Sequence, residues 1–149
     1  MIPNNPTPPQ SNLAAPATTS ASVRNLRPVP QLRTDVAALI KLWNVTQIHP
    51  GTSGALAALS VLLGLYNGSR FPMDLTKLRT LDDGNFQAAI SVITSDCRFF
   101  EGEVHYLLNL VTGRHDFGDR LENLASDYRL KGRGLKKNMR KCSPAVLVL

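Results

Sequence analysis

The 149-residue chain has little cysteine and little aromatic surface, and its acidic residues are confined to the middle. Two cysteines, Cys97 and Cys142, cannot build a disulfide framework, and no C-x-x-C spacing points to a zinc or redox site. No apolar run approaches the length of a bilayer span, so no membrane-spanning segment is expected. The hydrolase elbow G-x-S-x-G and the phosphate loop G-x-x-x-x-G-K-[ST] are both missing. Gly51-Thr52-Ser53-Gly54 resembles neither, and reads as a loop that ends in a helix cap. These absences favour a protein with no catalytic residues, no metal and no cofactor.

Proline is unevenly spread. Seven of the ten (Pro3, Pro6, Pro8, Pro9, Pro16, Pro28 and Pro30) fall in the first thirty residues, among Ser, Thr and Ala. Such a stretch cannot donate the bonds of a helix and has little apolar surface to bury, so residues 1–31 are expected to be a disordered arm. The arm lacks the basic start and apolar centre of a secretory signal, which favours a cytoplasmic, reducing location with free thiols. Its Ser and Thr, the lack of any acid before Asp35, and Arg24, Arg27 and Arg33 leave organelle targeting as an alternative. Asn44-Val45-Thr46 and Asn67-Gly68-Ser69 match the glycosylation acceptor, but without secretion they are coincidental.

The net charge of +6 comes from 17 Lys+Arg against 11 Asp+Glu, and its distribution matters more than its size. Residues 31–130 hold nine of those cations and all eleven acids, so this region is slightly acidic. Lys131, Arg133, Lys136, Lys137, Arg140 and Lys141 then follow with no acid among them. These six are the candidate nucleic-acid contacts, since a cationic run attracts a phosphate backbone through counterion release, without sequence preference. Beyond them, Ser143 to Leu149 is an apolar, β-prone stub. It either docks on the domain, pairs with a sheet edge of a partner, or stays free.

Between residues 32 and 130 the apolar spacing is helical, with no useful alternating run. Val36, Leu39, Ile40 and Trp43 form one stripe, with Thr34 or Asp35 as a cap, ending before His49-Pro50-Gly51. Ala55 to Tyr66 is nearly continuous in apolar and small residues, which suits a central helix capped by Thr52 or Ser53 and ended in left-handed form by Asn67-Gly68. Asp74 caps a stretch carrying Leu75, Leu78 and Leu81. Asp82 or Asp83 caps a helix whose inward stripe reads Phe86, Ala89, Ile90 and Ile93. Glu101 to Val111 directs Val104, Leu107, Leu108 and Val111 inward, and Asp119 to Leu130 directs Leu121, Leu124, Ala125 and Tyr128. The expectation is an all-α bundle of five or six short helices over residues 32–130, followed by a basic tail over 131–149.

Chemistry-bearing pairs inside that bundle are sparse. Glu101 and His105, four apart on one helix, could face a metal beside Glu103 or Asp96, but a solvated Glu–His pair explains the same letters. Cys97 assisted by His105 or His115 would make a nucleophile, yet a helical cysteine is usually inert. A helix-turn-helix between Phe86 and Arg114 would read bases with Glu101 to Arg114, which carries two Glu and one Arg and suits a groove poorly.

The middle of the chain resembles an uncharacterised small helical domain family encoded on bacterial plasmids and integrative elements. The resemblance runs through Tyr66-Asn67, Phe71, Asp74-Leu75, Leu78, Leu81-Asp82, Ala89-Ile90-x-Val92-Ile93 and Glu122-x-Leu124, over roughly residues 52–130. It implies an accessory protein of a mobile element and carries over no catalytic residue. The function expected is a small non-enzymatic interaction or regulatory module with a protein partner. The alternative is a nucleic-acid-associated protein acting through its basic tail.

Overall fold

A computed structural model describes residues 33–130 and 140–148. The expected arm over 1–31, and Lys131, Arg133, Lys136 and Lys137, lie outside the described residues. Within them the chain is all-helical: α1 (Thr34–Ile48), α2 (Ser53–Asn67), a 3-10 helix (Leu75–Thr80), α3 (Asp83–Phe99), α4 (Val104–Thr112) and α5 (Phe117–Asp127).

α2 is the centre of the bundle and touches every other helix. Ala55, Ala57, Ala58, Leu59, Val61, Leu62 and Leu63 are all buried, as a helix apolar on nearly every side requires. The whole α1 stripe (Val36, Leu39, Ile40 and Trp43) is buried too. α1 packs on α2 and α3, while α4 and α5 pair with each other across α2. Each large apolar side chain removed from water contributes roughly 1.5–3 kcal/mol, which makes this joint core the main source of stability.

Capping follows the short polar residues. Thr52 Oγ1 accepts from Ala55 N–H at 3.2 Å, Asp74 Oδ1 from Thr76 N–H at 2.9 Å, and Asp82 Oδ1 from Asn85 N–H at 2.9 Å. At α1 the cap position is Arg33, not Thr34 or Asp35. Gly51 adopts φ +83° between α1 and α2, a turn that a side chain would strain. Gly64 serves differently: a Cβ there would meet the Met73 Cβ at 3.0 Å, so its bareness lets the chain after Phe71 lie against α2.

Three further local expectations are corrected. Gly68 is right-handed (φ −63°), and α2 ends instead through Asn67, whose carbonyl accepts from Arg70 and Phe71 and whose side chain also caps Arg70 N–H. The α3 stripe is rotated: Ala88, Ala89 and Val92 are buried, whereas Phe86 and Ile90 are 37% and 39% exposed. α3 packs chiefly on α1, and alanines permit that close approach where Phe and Ile would not. α4 begins only at Val104, with Glu101 in the connection before it. α5 ends with Arg129 in the left-handed region (φ 49°), and the Arg129 and Leu130 N–H groups turn back onto Ser126 and Ala125.

Candidate functional site

The apolar stub docks on the domain. Residues 140–148 lie without helical or strand structure across α1 and α5, and five helical side chains bond their backbone. Trp43 Nε1 donates to Ala145 O at 2.7 Å, and Gln47 Oε1 accepts from Ala145 N–H at 3.1 Å. Asn44 Nδ2 donates to Leu147 O while Asn44 Oδ1 accepts from Leu147 N–H, both at 2.7 Å. From α5, Arg120 donates to Ser143 O at 2.5 Å and Asn123 to Arg140 O at 2.7 Å.

These readers are themselves held. Trp43, which is 1% exposed, stacks edge-on against Phe117 with centroids 4.9 Å apart. Trp43 O accepts from Thr46 Oγ1, which accepts in turn from Gln47 Nε2, so the Gln47 oxygen is presented outward. Asp116 holds Arg120 one turn away at 3.0 Å. Hydrogen bonds from Arg114 and then Arg120 hold the Asp116 carboxyl well below the usual carboxylate range. Between the segment and the helices a cavity of about 110 Å³ remains, lined by Trp43, Gln47, Arg120, Asn123 and residues 142–144. Past Leu147 the α1 surface continues as an open apolar groove of about 460 Å³ beside Ile40, Val45 and Ile48.

A second polar cluster lies at the far end of α2. Glu122, fully buried on α5, receives a two-pronged ion pair from Arg70 at 2.5 and 3.0 Å and a hydrogen bond from Tyr66 Oη at 3.1 Å. Burial, followed by the Glu122 charge, pushes the Tyr66 hydroxyl up to about 12. His105 packs edge-on against Tyr66, with its Nδ1 3.2 Å from the Glu103 carboxylate but without hydrogen-bond geometry. The cluster ties α2 to α5 and joins two residues, Tyr66 and Glu122, that carry the resemblance noted above.

The other sequence candidates separate. Glu101 pairs with Arg33, which also holds Asp35, while His105 faces Tyr66, so the two do not share a ligand site. Burial pushes Asp35 up, but the hydrogen bonds from Arg33 and Ser95 outweigh it and leave its carboxyl lowered. Asp96 is pushed up, by burial and then by Glu103, beside a small cavity of about 20 Å³ near Arg33. Among the described residues no three His, Cys, Asp or Glu side chains gather as they would around a metal ion. Cys97 is exposed and Cys142 half-buried, and both are free. Of the six basic candidates, Arg140 and Lys141 are described; both are exposed, and Lys141 sits 3.7 Å from Asp127. No described helix is long and apolar enough to cross a membrane.

A family model described as a family of unknown function, DUF7673, matches residues 36–129. The chain belongs to that family. No curated protein and no solved structure matches it. The DUF7673 match contains Trp43, Asn44, Gln47, Arg120 and Asn123, and stops short of the segment they bind. It also encloses the whole Tyr66–Arg70–Glu122 cluster.

Sequence reasoning missed the groove because its readers look ordinary. Asn44 and Gln47 are polar residues on a helix, and Asn44 was legible only as part of an unused glycosylation pattern. The available signal was their spacing: at i and i+3 beside Trp43, they share one helical face.

Proposed function

We infer that this domain is a small non-enzymatic interaction module whose α1/α5 groove receives an extended peptide segment. The observation that carries the reading is the set of helical side chains bonded to the backbone of residues 140–147. Binding through main-chain groups, with alternate side chains turned inward, is a recurring way for proteins to take peptides. The ionic side chains nearest to chemistry support the same reading, since Glu122, Asp35 and Asp116 are engaged by arginines. The two separate free thiols suit a reducing, cytoplasmic setting. The mobile-element context implied by the resemblance belongs to this reading, and gene neighbourhood tests it.

The direct test is photo-crosslinking inside cells from position 48, since Ile48 is 53% exposed at the groove edge. Adducts containing a second protein are expected. Cross-links only within the chain would overturn the reading.

Non-specific nucleic-acid binding is a second reading, favoured by the acid-free run from Lys131 to Lys141. Deleting residues 131–149 does not test it cleanly, because the deletion also uncovers Trp43. Replacing Lys131, Arg133, Lys136 and Lys137 with Gln does, and absence of retention on duplex or RNA by the unaltered chain at low salt would end this reading.

A further inference from the structure

Resting on the groove reading, we propose that residues 140–148 are an exchangeable internal occupant, displaced by an extended apolar segment of a partner protein. Four observations converge. The groove is built wholly from residues within the family match, whereas its occupant lies outside it. The grip is on backbone groups, which any extended segment offers. The fit is incomplete, with the cavity of about 110 Å³ left beneath residues 142–144. The occupant's outer side also makes little use of the domain, with Val146 52% and Val148 92% exposed.

The same geometry defines the ligand class. Ala145 and Leu147 are the inward positions, and Leu147 packs against the core. Arg140 and Lys141 precede them, with Lys141 near Asp127. A displacing segment therefore has a basic start, room for a bulky residue two or three positions later, then a small residue and a leucine at alternate positions. A proline at the position of Ala145 is excluded, because its missing N–H would leave Gln47 Oε1 unmet. Because the internal occupant is tethered, a partner competes against an effective concentration on the order of millimolar. Weak segments are thereby refused and tight ones admitted.

The test uses full-length chains and a fluorescent peptide with the sequence of residues 140–148. Two variants release the internal occupant: Leu147→Asp, which removes the inward apolar contact, and Ala145→Pro, which removes the N–H that Gln47 accepts. The peptide should bind both variants roughly ten- to a hundredfold more tightly than it binds the unaltered chain. Adding Asn44→Ala to either variant should abolish the gain. Equal binding to unaltered and released chains would overturn the proposal, as would no binding to either variant. Loss of helical circular dichroism in both variants would make the segment an integral part of the fold, which also overturns it. A concentration-dependent dimer of the unaltered chain that Leu147→Asp dissolves would assign the groove to a second copy instead of a partner. In-cell cross-links without peptide exchange would sink this proposal and leave the interaction reading standing. Peptide exchange without such cross-links would show that the segment detaches, yet would overturn both the interaction reading and displacement by a partner.

Discussion

The Asn44 carboxamide satisfies both polar groups of the Leu147 residue, accepting its N–H and donating to its carbonyl at 2.7 Å each. One side chain thus supplies what a neighbouring strand would supply in a sheet. Asn44→Ala should cost about 1–2 kcal/mol, the net worth of two ordinary hydrogen bonds, and should loosen residues 145–148. Trp43 is the only tryptophan, so its emission should shift to the red in this variant as water reaches its indole. Chemical denaturation together with fluorescence checks both effects.

Arg70 and Glu122 predict an asymmetric pair of outcomes. Arg70→Ala leaves a fully buried carboxylate without its arginine and should destabilise by about 3 kcal/mol or more. Glu122→Gln removes the buried charge and keeps an acceptor for Tyr66, and the Arg70 side chain, 20% exposed, can turn to water. That variant should cost clearly less. Thermal unfolding of the two variants ranks them, and equal losses would contradict the arrangement.

Tyr66 sets an alkaline limit. Its folded hydroxyl, pushed up to about 12, keeps a proton that the unfolded residue releases near 10. Between those values the native state binds more protons than the unfolded one, so stability falls as pH rises. Below pH 10 this contribution is constant. Tyr66→Phe should therefore flatten part of the decline between pH 10 and 12, measured by denaturant midpoints for the two chains.

Arg129 closes α5 in a left-handed conformation that glycine adopts more cheaply. Arg129→Gly should raise stability by about 0.5–1 kcal/mol, because the native angle costs glycine nothing while the turn-back bonds from residues 129 and 130 remain. A calorimetric melting temperature checks it.

Much of the helical framework can be read directly from periodicity and caps. The α1 stripe, the buried α2 and the caps at Thr52, Asp74 and Asp82 are local signals that the tertiary structure leaves intact. The α3 face is misread because Phe86 and Ile90 outweigh Ala88 and Ala89 in apolarity, while close packing on α1 selects small residues. The two polar sites are hidden for another reason. Arg70 and Glu122 lie 52 residues apart, and Asn44 and Leu147 lie 103 apart, so nothing local couples them. The apolar, β-prone letters of residues 143–149 left docking, sheet pairing and freedom equally open. Only the placement of Trp43, Asn44 and Gln47 on one face of α1, where they bond Ala145 and Leu147, decides among them.

Site-resolved amide hydrogen exchange in the full-length chain tests the docked segment most directly. The N–H groups of Ala145 and Leu147 meet Gln47 and Asn44, whereas those of Val146 and Val148 make no such bond to the groove. The account predicts an alternating pattern, with residues 145 and 147 slowed roughly tenfold or more relative to residues 146 and 148. Uniform exchange at unfolded-chain rates across residues 145–148 would contradict it.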